Sequence, residues 1–195
     1  MRSFSVVSLC AVLSGASIIV PLRAQERPRL SVEQRLDQLE SEKQIREAIV
    51  EYGEYLDARD YAHYAGLFAS NGTWTGGFGS ARGPAAIQKM LEDNLGKPEP
   101  GFVNKANFHL DTTVIVTVHG NTAQARSRYM FFTKSADDKP QPTLAGRYFD
   151  EFVRENGLWK IKSRKSFGVI PYRDGNAPPP ATPPAAVREI MTKRP

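Results

Sequence analysis

Apolar residues recur at helical spacing through Leu36, Leu39, Ile45, Ile49, Tyr52 and Leu56, interrupted around Ser41 to Gln44. The pattern predicts one long helix, or two stacked pieces, ending near Leu56. Ser31-x-x-Gln34 reads as its capping box, with Leu30 placed to staple the first turn. A short second run carries Tyr61, Tyr64, Leu67 and Phe68 on one side, and Asp60 is positioned to cap it. Asn71-Gly72 predicts a turn, followed by a short kinked strand from Thr73 to Phe78. Gly83-Pro84 opens a third helix with Pro84 at its first position and Ile87, Met90, Leu91 and Leu95 facing inward. Lys97 to Lys105, with two prolines and a glycine, is a loop.

From Phe108 onward the period drops to two. Phe108 to Val118 contains a long β-branched run, and His119-Gly120-Asn121 is a turn. Thr122 to Thr133 alternates, with Ala123, Ala125, Ser127 and Tyr129 on one side and Gln124, Arg126 and Arg128 on the other. A polar loop from Ser135 to Pro142 leads to a strand from Leu144 to Arg154. Glu155-Asn156-Gly157 then turns tightly into Leu158 to Arg164. Helices come first and strands follow. That order predicts an α+β domain, an antiparallel sheet with helices on one face.

The ends of the 195-residue chain have a different character. Arg2, the apolar stretch Phe4 to Val20 and Leu22-Arg23-Ala24 together read as a signal peptide over residues 1–24, implying a periplasmic or secreted protein. Cys10 lies in that segment, so residues 25–170 have neither a disulfide nor a thiolate available. Residues 171–195 hold half of the 14 prolines and read as an extended tail. The formal charge of +5 also comes mostly from the ends. Without Arg2, Arg23 and the basic tail the domain is near neutral, which argues against a nucleic-acid surface. The three histidines are scattered without metal-ligand spacing, and no glycine-rich phosphate cradle follows a strand. Neither a metal nor another cofactor is expected.

The chemistry-bearing stretch is Tyr55-Leu56-Asp57-Ala58-Arg59-Asp60-Tyr61, with two aspartates three residues apart. Asp60 has a mechanical task as a helix cap. Asp57 taken alone fits a solvated helix-end carboxylate or an Asx-turn former as well as a functional acid. His63 is expected on the solvated side of the second helix, and Tyr52 and Tyr55 on a shared helix face.

Several pieces in order resemble the SnoaL-like family of the nuclear transport factor 2-like superfamily. They are Tyr52-x-x-Tyr55-Leu56-Asp57-x-x-Asp60-Tyr61, Leu67-Phe68-Ala69-x-x-Gly72-x-Trp74 and Gly83-x-x-Ala86-Ile87. His109 opening a strand, Gly120-Asn121-Thr122-Ala123-x-Ala125, and Gly146-Arg147-Tyr148 ahead of Gly157-x-Trp159 complete the set. The resemblance spans Ser31 to Gly168. It implies a cone-shaped, mostly antiparallel sheet wrapped around three helices and enclosing an apolar pocket, in a dimer or trimer.

Family members include cofactor-independent dehydratases, a dehydrochlorinase, carbon–carbon lyases and an isomerase, as well as plain binding or association modules. In the eliminating enzymes an aspartate after the first helix pairs with a histidine at a strand start; Asp57 and His109 match those positions. By the same resemblance Tyr52 is a phenolic participant and Tyr148 a pocket-lining polar residue. Tyr55, Trp74 and Phe78 are candidate walls for a small hydrophobic molecule. A second pocket histidine of the scytalone-type dehydratases has no counterpart between Thr122 and Thr133. The implied activity is a lyase of dehydratase type, with isomerisation or carbon–carbon cleavage as variants. A non-catalytic ligand-binding or association module of the same fold is the alternative.

Overall fold

The computed structural model describes residues 30–171. The expected signal segment, and the expected tail beyond Pro171, lie outside the described residues. The chain divides between Ser31 and Val32 into two units; the second contains every helix and strand below.

Helix α1 spans Val32–Ala58, α2 Tyr61–Gly66 and α3 Pro84–Leu95. Six strands follow the order β1 Phe68–Gly76, β2 Gly79–Arg82, β3 Asn107–His119, β4 Thr122–Lys134, β5 Pro140–Glu155 and β6 Leu158–Ile170. They form a curled sheet ordered β2-β1-β6-β5-β4-β3. Every pairing is antiparallel except β1 with β6, which is parallel, so the sheet is mixed. This corrects the simpler antiparallel expectation: β1 and β6 are joined through β2, α3 and β3 to β5, so no hairpin ties them into opposite directions.

Helix α1 is continuous, but its inward face starts later than the apolar pattern implies. Val32 to Glu40 are exposed, with Leu36 at 53% and Leu39 at 64%. Burial begins at Ser41, whose hydroxyl accepts a hydrogen bond from Arg154 Nη2 at 2.7 Å. Ile45, Ile49 and Tyr52 then enter the core beside Ile87, Leu91, Phe152 and Ile161, all at most 2% exposed. The expected inner face of α3 is present, with Ile87, Met90 and Leu91 buried behind Pro84.

Asn71-Gly72 is not a turn. It lies inside β1, where the register with β6 slips between Phe68 and Thr73. A β-carbon on Gly72 would stand 2.6 Å from the Ile161 carbonyl oxygen, so the close approach requires glycine. Phe78 occupies the turn after β1 rather than the strand, and the short β2 was not anticipated. Strand β5 starts at Pro140, and His119 is the last residue of β3.

Two bulges decide which side chains face inward. On β3 the register with β4 slips between Thr112 and Ile115, with Thr113 at φ 53°. Uninterrupted alternation would put Phe108 and Leu110 on the same side as Val114, Val116 and Val118. The extra residue inverts this: Phe108 and Leu110 stand 53% and 41% exposed, while His109 and Asp111 share the inner face with the valines. Arg46 secures the bulge from α1, donating to the Val114 carbonyl at 2.8 Å while Glu42 grips its guanidinium. On β6 the register skips Lys162, since Phe152 opposes Ile161 and Glu151 opposes Ser163. Beyond that slip Arg164 is fully buried.

Candidate active site

The end of α1 fixes Asp57. Arg59 adopts a left-handed conformation at φ 56°. Its N–H donates to the Leu56 carbonyl at 3.1 Å, and the Asp60 N–H donates to the Tyr55 carbonyl at 2.8 Å. This double closure is a Schellman-type stop. It places a carboxylate, Asp57, in a last turn that has no basic residue, where the helix dipole disfavours negative charge.

Strand β3 supplies the compensation. The His109 N–H donates to Asp57 Oδ2 at 2.7 Å, and His109 Nδ1 lies 2.6 Å from Asp57 Oδ1. The carboxylate thus holds the backbone and the ring of one residue together. The two side chains are only 16% and 15% exposed. With Nδ1 engaged, Nε2 is the ring nitrogen left for a ligand.

Both residues line a cavity of about 1120 Å³ together with Tyr52, Trp74, Tyr129 and Tyr148. The Phe131 ring packs against His109, centroids 4.6 Å apart, and Phe78 stacks on Trp74 at 5.8 Å near the surface. The Tyr52 hydroxyl accepts from Trp74 Nε1 at 2.9 Å. Burial raises the Tyr52 phenol above its ordinary pKa, with Arg164 opposing, and burial raises Tyr148 well above it. Both phenols therefore stay protonated at neutral pH, each retaining an O–H.

Tyr55 does not line the cavity. Its ring stacks on His63 at 5.4 Å, because at the helix end it turns toward α2 instead of the sheet. His63 is on the solvated side as expected, yet it is paired: its Nδ1 lies 2.6 Å from Asp60 Oδ2. Asp60 also caps α2, accepting from the His63 N–H at 3.1 Å.

Behind the cavity lies a charged layer that sequence reasoning missed. Arg164, fully buried, donates through Nε and Nη2 to Asp150 at 2.7 and 2.8 Å. Its guanidinium carbon sits 3.8 Å from the Tyr52 ring centroid and 4.5 Å from that of Tyr148. Burial opposes its charge, but the Asp150 pairing prevails and holds its pKa above the ordinary value. Asp111, two residues beyond His109, is raised to about 6 by burial, against the pull of Arg164 and His109. In the sequence Arg164 ends the strand read from Leu158 and stands beside Lys160, Lys162 and Lys165, with nothing to mark it as buried. The β6 bulge was the missing signal. Among the described residues no three His, Cys, Asp or Glu side chains are grouped as metal donors.

The fold has counterparts among known proteins. The SnoaL-like domain pattern matches residues 37–165. No curated protein matches the chain. Among solved structures the fold is similar to an NTF2-like protein with a cystatin-like fold from Novosphingobium aromaticivorans. That likeness has 25% identity and a TM-score of 0.62, covering 80% of this chain and 92% of that one. A scytalone dehydratase-like protein from the same organism gives 23% identity and a TM-score of 0.57, covering 78% and 99%. LinA gives 21% and 0.59, covering 74% and 99%. These last two are likenesses of fold. The domain match takes in both bulges, the Asp57 turn and the charged layer, and the chain belongs to the SnoaL-like family of the NTF2-like superfamily.

Proposed function

We propose that this protein is a secreted, cofactor-independent lyase that eliminates water or halide from a small hydrophobic aromatic or alicyclic substrate. The observation that carries the reading is the Asp57 carboxylate 2.6 Å from His109 Nδ1 at the wall of an aromatic cavity. His109 Nε2 removes a proton from carbon. The C–H pair becomes the new C=C bond, and the neighbouring C–O or C–halogen bond breaks with its pair leaving on the departing group. Asp57 fixes the tautomer and stabilises the imidazolium that forms. The neutral phenols of Tyr148 and Tyr52 suit hydrogen bonding to a substrate oxygen or to leaving hydroxide, which departs as water with the proton returned. Aromatic walls strengthen each of these interactions over their value in water.

The reading is tested by turnover of purified protein against a library of aryl and alicyclic alcohols and halides. His109→Ala and Asp57→Asn are expected to lower kcat by about 10² to 10⁴, the usual range for a positioned general base. Undiminished rates in both variants remove the mechanism.

A further inference from the structure

Asp111 has no task in the elimination scheme, yet the fold makes room for it. It follows His109 by two residues on β3, and the Thr113 bulge leaves both on the inner face. Its Oδ1 is buried with no hydrogen-bond partner among the described residues. A β-carbon on Gly53 of α1 would fall 2.8 Å from Asp111 Oδ2 and 3.8 Å from His109 Cβ. Glycine at that position lets α1 lie against β3 without displacing the carboxylate. Arg164 is the fixed cation of this layer, but Nε and Nη2 are committed to Asp150, while Nη1 is buried without a partner. An enclosed carboxylate without its full set of partners destabilises a fold, and neutral residues of similar size avoid that cost. Even with its pKa at about 6, Asp111 is mainly ionised at neutral pH.

We propose that Asp111 is a positioning residue for the dyad, its carboxylate acting through space on His109 to favour the charged ring formed when a proton is taken up. The proposal rests on reading His109 as the base. The ionisable groups around Asp111 are Asp57 and Tyr52 on α1, His109 on its own strand, Tyr129 opposite it on β4, Asp150 and Tyr148 on β5, and Arg164 on β6. Tyr52 and Tyr148 are neutral, so three carboxylates face one fixed cation. A protonated His109 supplies the second positive charge. Asp57 and Asp111 thereby divide the work, one holding the ring by hydrogen bonds and the other supplying field without contact.

The test is the ring charge of His109 in the full chain, read from imidazole ¹⁵N shifts between pH 5 and 8, in wild type and in Asp111→Asn. The asparagine keeps the shape and removes the charge. Above pH 6, where Asp111 is ionised, the charged-to-neutral ratio of the His109 ring at matched pH is expected to fall at least about threefold in the variant. On any substrate the wild type eliminates, kcat is expected to fall about tenfold with KM unchanged. The NMR readout needs no substrate, which separates the two failures. A wild type that turns nothing over, with the ring charge still sensitive to Asp111, overturns the lyase reading and leaves the coupling intact. An unchanged ring charge in folded Asp111→Asn overturns the coupling whatever the substrate. If that variant does not fold, Asp111→Ser makes the same comparison, and its failure to fold assigns Asp111 a structural role and overturns the proposal.

Discussion

Asp57 and Asp60 stand three residues apart, and each brings a carboxylate oxygen to 2.6 Å from the Nδ1 of a histidine. The contacts match; the surroundings do not. Asp60 and His63 belong to one turn of α2, with side chains 40% and 70% exposed. Water and salt screen such a pair, and its carboxylate is also occupied as a helix cap. Asp57 and His109 are 52 residues apart and less than one-fifth exposed. Asp57 also holds the histidine's backbone N–H, and an aromatic cavity opens beside the ring. Hydrogen-bond distance therefore does not single out a site. Burial, a second anchoring bond and an adjoining cavity do.

The comparison is broken most severely by removing the buried pair. Loss of the His109 ring or of the Asp57 charge is expected to abolish elimination nearly completely. In contrast, His63→Ala and Asp60→Ala should leave kcat within about twofold, since both side chains face solvent.

A second test uses stability. The pKa of Asp111 is raised in the folded state, so its contribution is most favourable at low pH and is lost as pH rises through about 6. Asp111→Asn should therefore match wild type near pH 4 in urea unfolding and exceed it by up to about 3 kcal/mol at pH 8, following the size of the shift. A variant that is less stable at pH 8 would show that the carboxylate is satisfied in place. Asp60→Ala comes next, with an expected loss of about 1 kcal/mol from the missing cap on the His63 N–H. The smallest effect belongs to His63→Ala, within about 0.5 kcal/mol and smaller still at high salt.

Much of the scaffold was legible in the chain. Pro84 and the Ile87, Met90, Leu91 spacing gave α3, and Glu155-Asn156-Gly157 gave the β5–β6 hairpin, because local turn chemistry and periodicity specify both. The alternating Ala123, Ala125, Ser127 and Tyr129 face of β4 was equally clear. What escaped is what depends on bulges. Alternation on β3 points Phe108 and Leu110 inward and His109 outward, and a single extra residue near Thr113 reverses that assignment. Family resemblance, rather than periodicity, directed attention to His109. Arg164 and Asp111 had no such pointer. The basic surroundings of Arg164 conceal a slip at Lys162, and nothing local to Asp111 reveals that Gly53, 58 positions earlier, leaves space for it. Tyr55 failed for another reason. It shares a helical face with Tyr52, but beyond the core that face meets α2 instead of the cavity.

The most direct measurement sets the two aspartates against each other. Asp57→Asn and Asp60→Asn are assayed side by side on one alcohol or halide that the wild type eliminates, by release of product. A loss of at least about 100-fold is expected for Asp57→Asn and a rate within about twofold of wild type for Asp60→Asn. Equal rates in the two variants would contradict this.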